Sequence, residues 1–118
     1  MKVAFNGLLD TTATFVAGSG VASGDLVEIG SNSEVTSAET GKAPIGLVAK
    51  LEADNCVAVQ LKGYMEVEYS GNAPSVGYAS LTTGSSSSKV KLAGENDDAI
   101  DVLILTVDVT KKIVGFIL

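Results

Sequence analysis

Between Cys56 and Tyr69 the chain reads CVAVQLKGYMEVEY, with its apolar side chains on alternate residues. Val57, Val59 and Leu61 share one parity, and Cys56, Ala58 and Gln60 the other. Beyond Gly63 the first parity continues through Met65, Val67 and Tyr69, opposite Tyr64, Glu66 and Glu68. Successive side chains of a strand point to opposite faces, whereas a helix brings a face round only every third or fourth residue. The pattern therefore demands a half-buried strand or a bent pair of strands. Gly63 interrupts it where the lack of a side chain permits a bulge or a sharp bend, so the sheet is expected to curl there.

The rest of the chain punctuates itself in the same way. SGDLVEIG places a turn at Ser23-Gly24-Asp25 before a short strand carrying Leu26, Val27 and Ile29. Pro44 opens a strand in which Ile45, Leu47, Ala49 and Leu51 point one way, and Ala53–Asn55 turns it as a hairpin into Cys56–Leu61. Val90 and Leu92 alternate with Lys89 and Lys91, which are expected to face water. IDVLILTVDV, nearly continuous in apolar and β-branched residues, reads as the most buried strand. Thr110-Lys111-Lys112 then turns the chain into IVGFIL, a final strand.

Helical signals are weak: no apolar residues recur at three-and-four spacing behind a cap, and 13 glycines punctuate the chain. At most a single helical turn is expected near Ala79–Leu81. The polar run Thr82–Ser88 reads as an exposed, mobile tip. No linker and no internal repeat is visible. The expected architecture is all-β, a small single-domain β-barrel or sandwich of short antiparallel strands over residues 21–118. Residues 1–20 form either an N-terminal arm or a first strand, with Thr11–Ala17 as the candidate strand.

Composition narrows the function. At 118 residues the chain has the length of one ordinary domain, and only 19% of it is charged, below the typical share of about 25%. Part of its surface is therefore expected to be covered by other chains. Net charge is −6, and all eight basic residues are lysines, so the basic face and guanidinium forks of a nucleic-acid binder are missing. Cys56 is the only cysteine and has no internal disulfide partner. The opening MKVAFNGLLDTTATF is broken by Asn6, Gly7 and Asp10, unlike a secretory signal. Apolar runs such as Val102–Leu105 are too short to span a bilayer, so no membrane partner is expected.

Reactive chemistry is hard to assemble from these residues. Without histidine there is no ordinary general base near neutral pH, and neither a Ser–His nor a Cys–His pair can be built. Cys56, alternating with Val57, reads as a buried structural thiol. Glu66 and Glu68 share a strand face about 7 Å apart, a spacing a glycosidase pair can use, but they read as a solvated edge. GENDDAID clusters Glu95, Asp97, Asp98 and Asp101 without the alternating ligands and closing glutamate of a Ca²⁺ loop, and reads as an acidic turn. AGSGVASG fits neither a P-loop nor a dinucleotide fingerprint. No catalytic residue, metal site or cofactor is expected.

The order of the pieces carries a resemblance. VASGDLVEI is followed by KAPIGLVAKLEADNCVAVQLKGYMEVEYSG, then NAPSVGYASL, a Gly/Ser loop with KVKLA, and DVLILTVDVTKKIVGFIL. This series, from about Val21 to Leu118, resembles the small capsid decoration proteins (head decoration, cement or auxiliary capsid proteins) of tailed bacteriophages. Its most specific parts are QLKGYMEVEYSGNAPSVGY and the closing strand pair ending in VGFIL. The resemblance implies a β-barrel-like, non-catalytic virion protein, assembled in the host cytoplasm. It would bind the major capsid protein on the outer surface of the expanded head and associate with itself, commonly as a homotrimer. On that footing Val3, Phe5, Leu8 and Leu9 are candidate capsid contacts, and Pro74 and Tyr78 candidate trimer contacts. The competing readings are a receptor- or carbohydrate-binding domain, such as a fibre head or adhesin, and another non-catalytic tail or neck component. Few aromatics, only 5%, and no tryptophan argue against a sugar platform.

Overall fold

The structure, a computed structural model, describes residues 10–118. The described residues contain ten strands and no helix. The strands are β1 (Thr11–Ala17), β2 (Leu26–Ser31), β3 (Glu34–Ser37), β4 (Gly46–Leu51) and β5 (Cys56–Lys62). They continue as β6 (Tyr64–Tyr69), β7 (Gly77–Thr83), β8 (Lys89–Leu92), β9 (Ile100–Asp108) and β10 (Ile113–Ile117). The all-β expectation holds, but the strands close into two five-stranded barrels rather than one. Barrel A is β1-β3-β2-β4-β5 and barrel B is β10-β6-β8-β7-β9. Side by side they make a plate of 41 × 37 × 22 Å, one barrel thick.

The alternating stretch that dominates the sequence spans both barrels. β5 is the last strand of A and β6 the first of B, and Gly63 joins them at a φ of 104°. That conformation strongly disfavours a residue with a Cβ, so the glycine breaks one sheet from the next while the parity runs on. The Ala53–Asn55 turn is a hairpin as expected. Asp54 and Asn55 both sit in the left-handed region (φ 59° and 64°), and the Cys56 N–H bonds the Ala53 carbonyl at 3.3 Å.

The two barrels repeat one topology. In each, the first strand pairs parallel with the third and antiparallel with the fifth. The second strand pairs with the third and fourth, and the fourth with the fifth. The register repeats as well. Ala17 faces Val35 as Tyr69 faces Val90; Phe15 faces Val57 as Val67 faces Val114; Ala13 faces Val59 as Met65 faces Phe116. Both fourth strands carry one extra residue at the same place. Val48 and Lys50 face Val59 and Ala58 across the bulge at Ala49, as Ile104 and Thr106 face Phe116 and Gly115 across Leu105. The repeat escapes a reading of the sequence because only the apolar character of matched core positions is shared.

Barrel A encloses Val27, Val35, Val48, Val57 and Val59. Barrel B encloses a larger cluster, including Met65, Leu81, Ile104 and Phe116, that also takes in Leu26 and Ala38 of barrel A. Several expectations fail at this junction. Leu26 and Leu47 are register partners that point out of barrel A and pack against the core cluster of B. The strand of Pro44 therefore buries Gly46 and Val48 inside its barrel, while Ala49 and Leu51 are exposed beyond the bulge. The run Thr82–Ser88 is not a free tip. Thr82 and Thr83 belong to β7 and are fully buried; the Leu26 N–H bonds the Ser87 carbonyl at 2.6 Å, and the Thr83 hydroxyl bonds the Lys42 carbonyl at 2.7 Å. Residues 79–81 are strand, not a helical turn. β9 is not the most buried strand either: only Val102 and Ile104 are buried, Leu103 stands half-exposed on its outer face, and Val107 only partly covers the edge of the core.

Candidate functional site

Several of the polar groups with a claim to chemistry make structural contacts. Glu66 and Glu68 lie exposed on the outer face of β6. Glu66 accepts a hydrogen bond from the Tyr64 hydroxyl at 2.9 Å, and that hydroxyl also lies 3.3 Å from the Thr106 hydroxyl. Burial raises the Tyr64 phenol above its ordinary value of 10.0, the Glu66 carboxylate adds to the rise, and the Thr106 contact partly offsets it. The acidic run folds as a turn. Asp97 accepts from the Gly94 N–H at 2.8 Å and pairs with Lys91 at 3.8 Å, Asp98 pairs with Lys42 at 3.7 Å, and Asp101 accepts from the Ser80 hydroxyl at 2.6 Å. Among the described residues no three His, Cys, Asp or Glu side chains converge as metal ligands.

Cys56 is half-buried rather than buried. It lines an open cleft of about 650 Å³ at one end of barrel A with Ala17, Glu34, Leu51 and Glu52, and its thiol makes a weak 3.7 Å contact to the Asp54 carbonyl. The cleft brings together backbone, the carboxylates of Glu34 and Glu52 and one thiol, and no lysine is among the described residues that line it.

A better candidate lies on the outside of barrel B. Tyr78 of β7 is the register partner of Leu103 of β9, Leu103 of Ile117 of β10, and Ile117 of Tyr64 of β6. Direct register partners share a face of a sheet. The neighbours Met65, Ile104 and Phe116 point into the core, so these four side chains form an apolar ladder across the exterior. Tyr64 lies flat on this face because β10 has a glycine beneath it: a Cβ on Gly115 would collide with the Tyr64 ring and hydroxyl and with Thr106. Tyr78, at the other end, is 87% exposed, and Val76 beside it 67%.

Of the residues singled out from the sequence, Tyr78 stands on this face. Pro74 is buried in the connection before β7. Val3, Phe5, Leu8 and Leu9 lie outside the described residues. Leu103 and Ile117 escaped the sequence reading, although the apolar runs VLIL of β9 and FIL at the end of β10 carried their signal: a strand apolar on both faces has two faces to cover. Comparison with known family models, curated proteins and solved structures finds no match to this chain.

Proposed function

We propose that this chain is a capsid decoration protein, which binds the outer surface of an expanded phage head and stabilises it, acting as a homotrimer. The observation that carries this reading is the order and content of the sequence blocks from Val21 to Leu118, above all QLKGYMEVEYSGNAPSVGY and the closing VGFIL strand. The physical character of the chain supports it. Two fused barrels make a flat plate, the composition offers neither histidine nor arginine, and apolar side chains stand exposed on the outer face of barrel B.

Stabilisation would follow from linkage. A ligand that binds only the expanded lattice favours that lattice by its binding free energy. Copies held together gain avidity, since later contacts become intramolecular. The apolar residues Val3, Phe5, Leu8 and Leu9 remain the proposed contacts with the major capsid protein, and removing Met1–Leu9 should weaken head capture. The direct test is sedimentation of the purified protein with empty expanded heads. Co-sedimentation at micromolar concentration supports the reading, and a protein left wholly in the supernatant rejects it.

A further inference from the structure

The repeat supplies a control for each strand, and the first strands of the two barrels differ most. β1 and β6 are paired alike. Each runs antiparallel to the fifth strand of its barrel along most of its length and parallel to the third at two residues. Matched backbone bonds agree too: the Ala17 N–H bonds the Asn55 carbonyl at 2.7 Å, and the Tyr69 N–H the Lys112 carbonyl at 3.0 Å. The difference lies in the side chains turned inward. β6 sends Met65, Val67 and Tyr69 into barrel B, all buried. β1 offers Ala13, Phe15 and Ala17 at the same points, and none of the three is fully buried. The buried valines of barrel A come from β2, β3, β4 and β5, and Phe15 and Ala17 only rest against them.

We infer that β1 is a detachable strap, which leaves barrel A as a unit while the other nine strands stay folded. What remains after its release is already a structure. β3-β2-β4-β5 is a continuous antiparallel sheet, held on barrel B by Leu26, Ala38 and Leu47. A hinge is present as well. Beyond it the chain is tied to β4, where the Gly24 N–H bonds the Val48 carbonyl at 3.1 Å and the Val48 N–H the Asp25 carbonyl at 2.8 Å. Between that tie and the end of β1 at Ala17 lie Gly18 and Gly20. Gly20 has a φ of 82°, with nothing packed where a Cβ would stand. Elements that bury little apolar surface open at a free energy well below that of global unfolding. β1 meets this condition and β6 does not. The inference is independent of the function proposed above, since it concerns barrel A alone and its test needs no heads.

The test is amide hydrogen exchange of the full chain by NMR, in water and at rising low concentrations of urea. The Ala13 and Phe15 amides should exchange at least about 100-fold faster than their matched amides at Met65 and Val67. Their rates should hardly respond to urea, because releasing one strand exposes little surface. β5 separates strap release from opening of the whole barrel. The Ala17–Asn55 bond sets the odd residues of β5 toward β1, and the bond from the Glu52 N–H to the Cys56 carbonyl at 2.8 Å sets the even ones toward β4. Val57 and Val59 should therefore exchange with Ala13 and Phe15, while Ala58 and Gln60 stay slow. Equal rates in β1 and β6 overturn the inference. So does fast exchange at Ala58 and Gln60, because barrel A would then open as a whole. A second measurement locks the strap: Val16 is the register partner of Cys56, so Val16→Cys places two thiols across the β1–β5 ladder. Closing that disulfide should slow Ala13 and Phe15 toward the rates of Met65 and Val67, and reduction should restore fast exchange. Rates unchanged by oxidation would reject release of the strand as a unit.

Discussion

Barrel A fills its interior with Val27, Val35, Val48, Val57 and Val59, whereas barrel B places Val90, Ile104, Val114 and Phe116 at the points that match the last four of these. On the outside the contrast continues. The ladder Thr12–Gln60–Leu47–Leu26 crosses barrel A, polar at one end and covered by barrel B at the other. Its counterpart Tyr64–Ile117–Leu103–Tyr78 is apolar across all four strands. One strand plan thus carries two different distributions of apolar surface. A small valine core suffices where a neighbouring barrel lends burial, and the larger core belongs to the barrel that supplies the cover.

That comparison can be broken by paired substitutions at matched sites, read by urea unfolding. The largest difference should come from Phe116→Ala against Val59→Ala. The first removes a ring from the larger core and should cost about 3–5 kcal/mol. The second removes two methyl groups and should cost about 2 kcal/mol. Equal losses would mean that the two cores do not differ in the way their residues suggest. Next in size is Gly115→Ala against Ala58→Gly, at the matched residues beside the two bulges. A methyl group under Tyr64 should cost about 1–3 kcal/mol through overpacking. Ala58 is half-buried, and its replacement should cost only about 0.5–1 kcal/mol, the ordinary cost of a strand glycine.

Tyr64→Phe sharpens the outer-face comparison. At neutral pH, loss of the hydroxyl contacts to Glu66 and Thr106 should cost about 1 kcal/mol. Because the folded state raises the Tyr64 phenol, the unfolded chain ionises first as pH climbs. The contribution is full below pH 10.0 and is lost as pH rises through the higher folded value. The variant should lack that part of the alkaline decline, which stability curves on either side of pH 10.0 will register. The smallest effect is expected at the barrel junction. The Thr82 hydroxyl is fully buried and finds no hydrogen-bond partner among the described residues, so Thr82→Val should be neutral or stabilise by up to about 1 kcal/mol. A clear loss would point to a bridging water at that hydroxyl.

Much of the strand plan was legible because period-two alternation is local. β5, β6, β8 and β10 follow from it, and the Asp54–Asn55 hairpin from the tolerance of those residues for left-handed backbone. What escaped depends on surfaces meeting at a distance. Leu47 and Leu51 have the same parity, yet the bulge at Ala49 and the presence of barrel B give them different surroundings. The serine run after Thr83 looks like a free loop until barrel A is placed against it. The run Ile100–Val109 reads as deeply buried because a strand apolar on both faces looks alike whether its outer face meets its own chain or another. For the candidate site, Tyr78 was visible as a surface aromatic beside a turn, while its ladder partners needed the register of three other strands.

Calorimetry of expanded heads, with and without saturating protein, tests the proposed stabilising role most directly. Heads carrying the protein should melt at a higher temperature than bare heads, with the rise growing as occupancy grows. Heads that bind the protein fully and melt unchanged would contradict it.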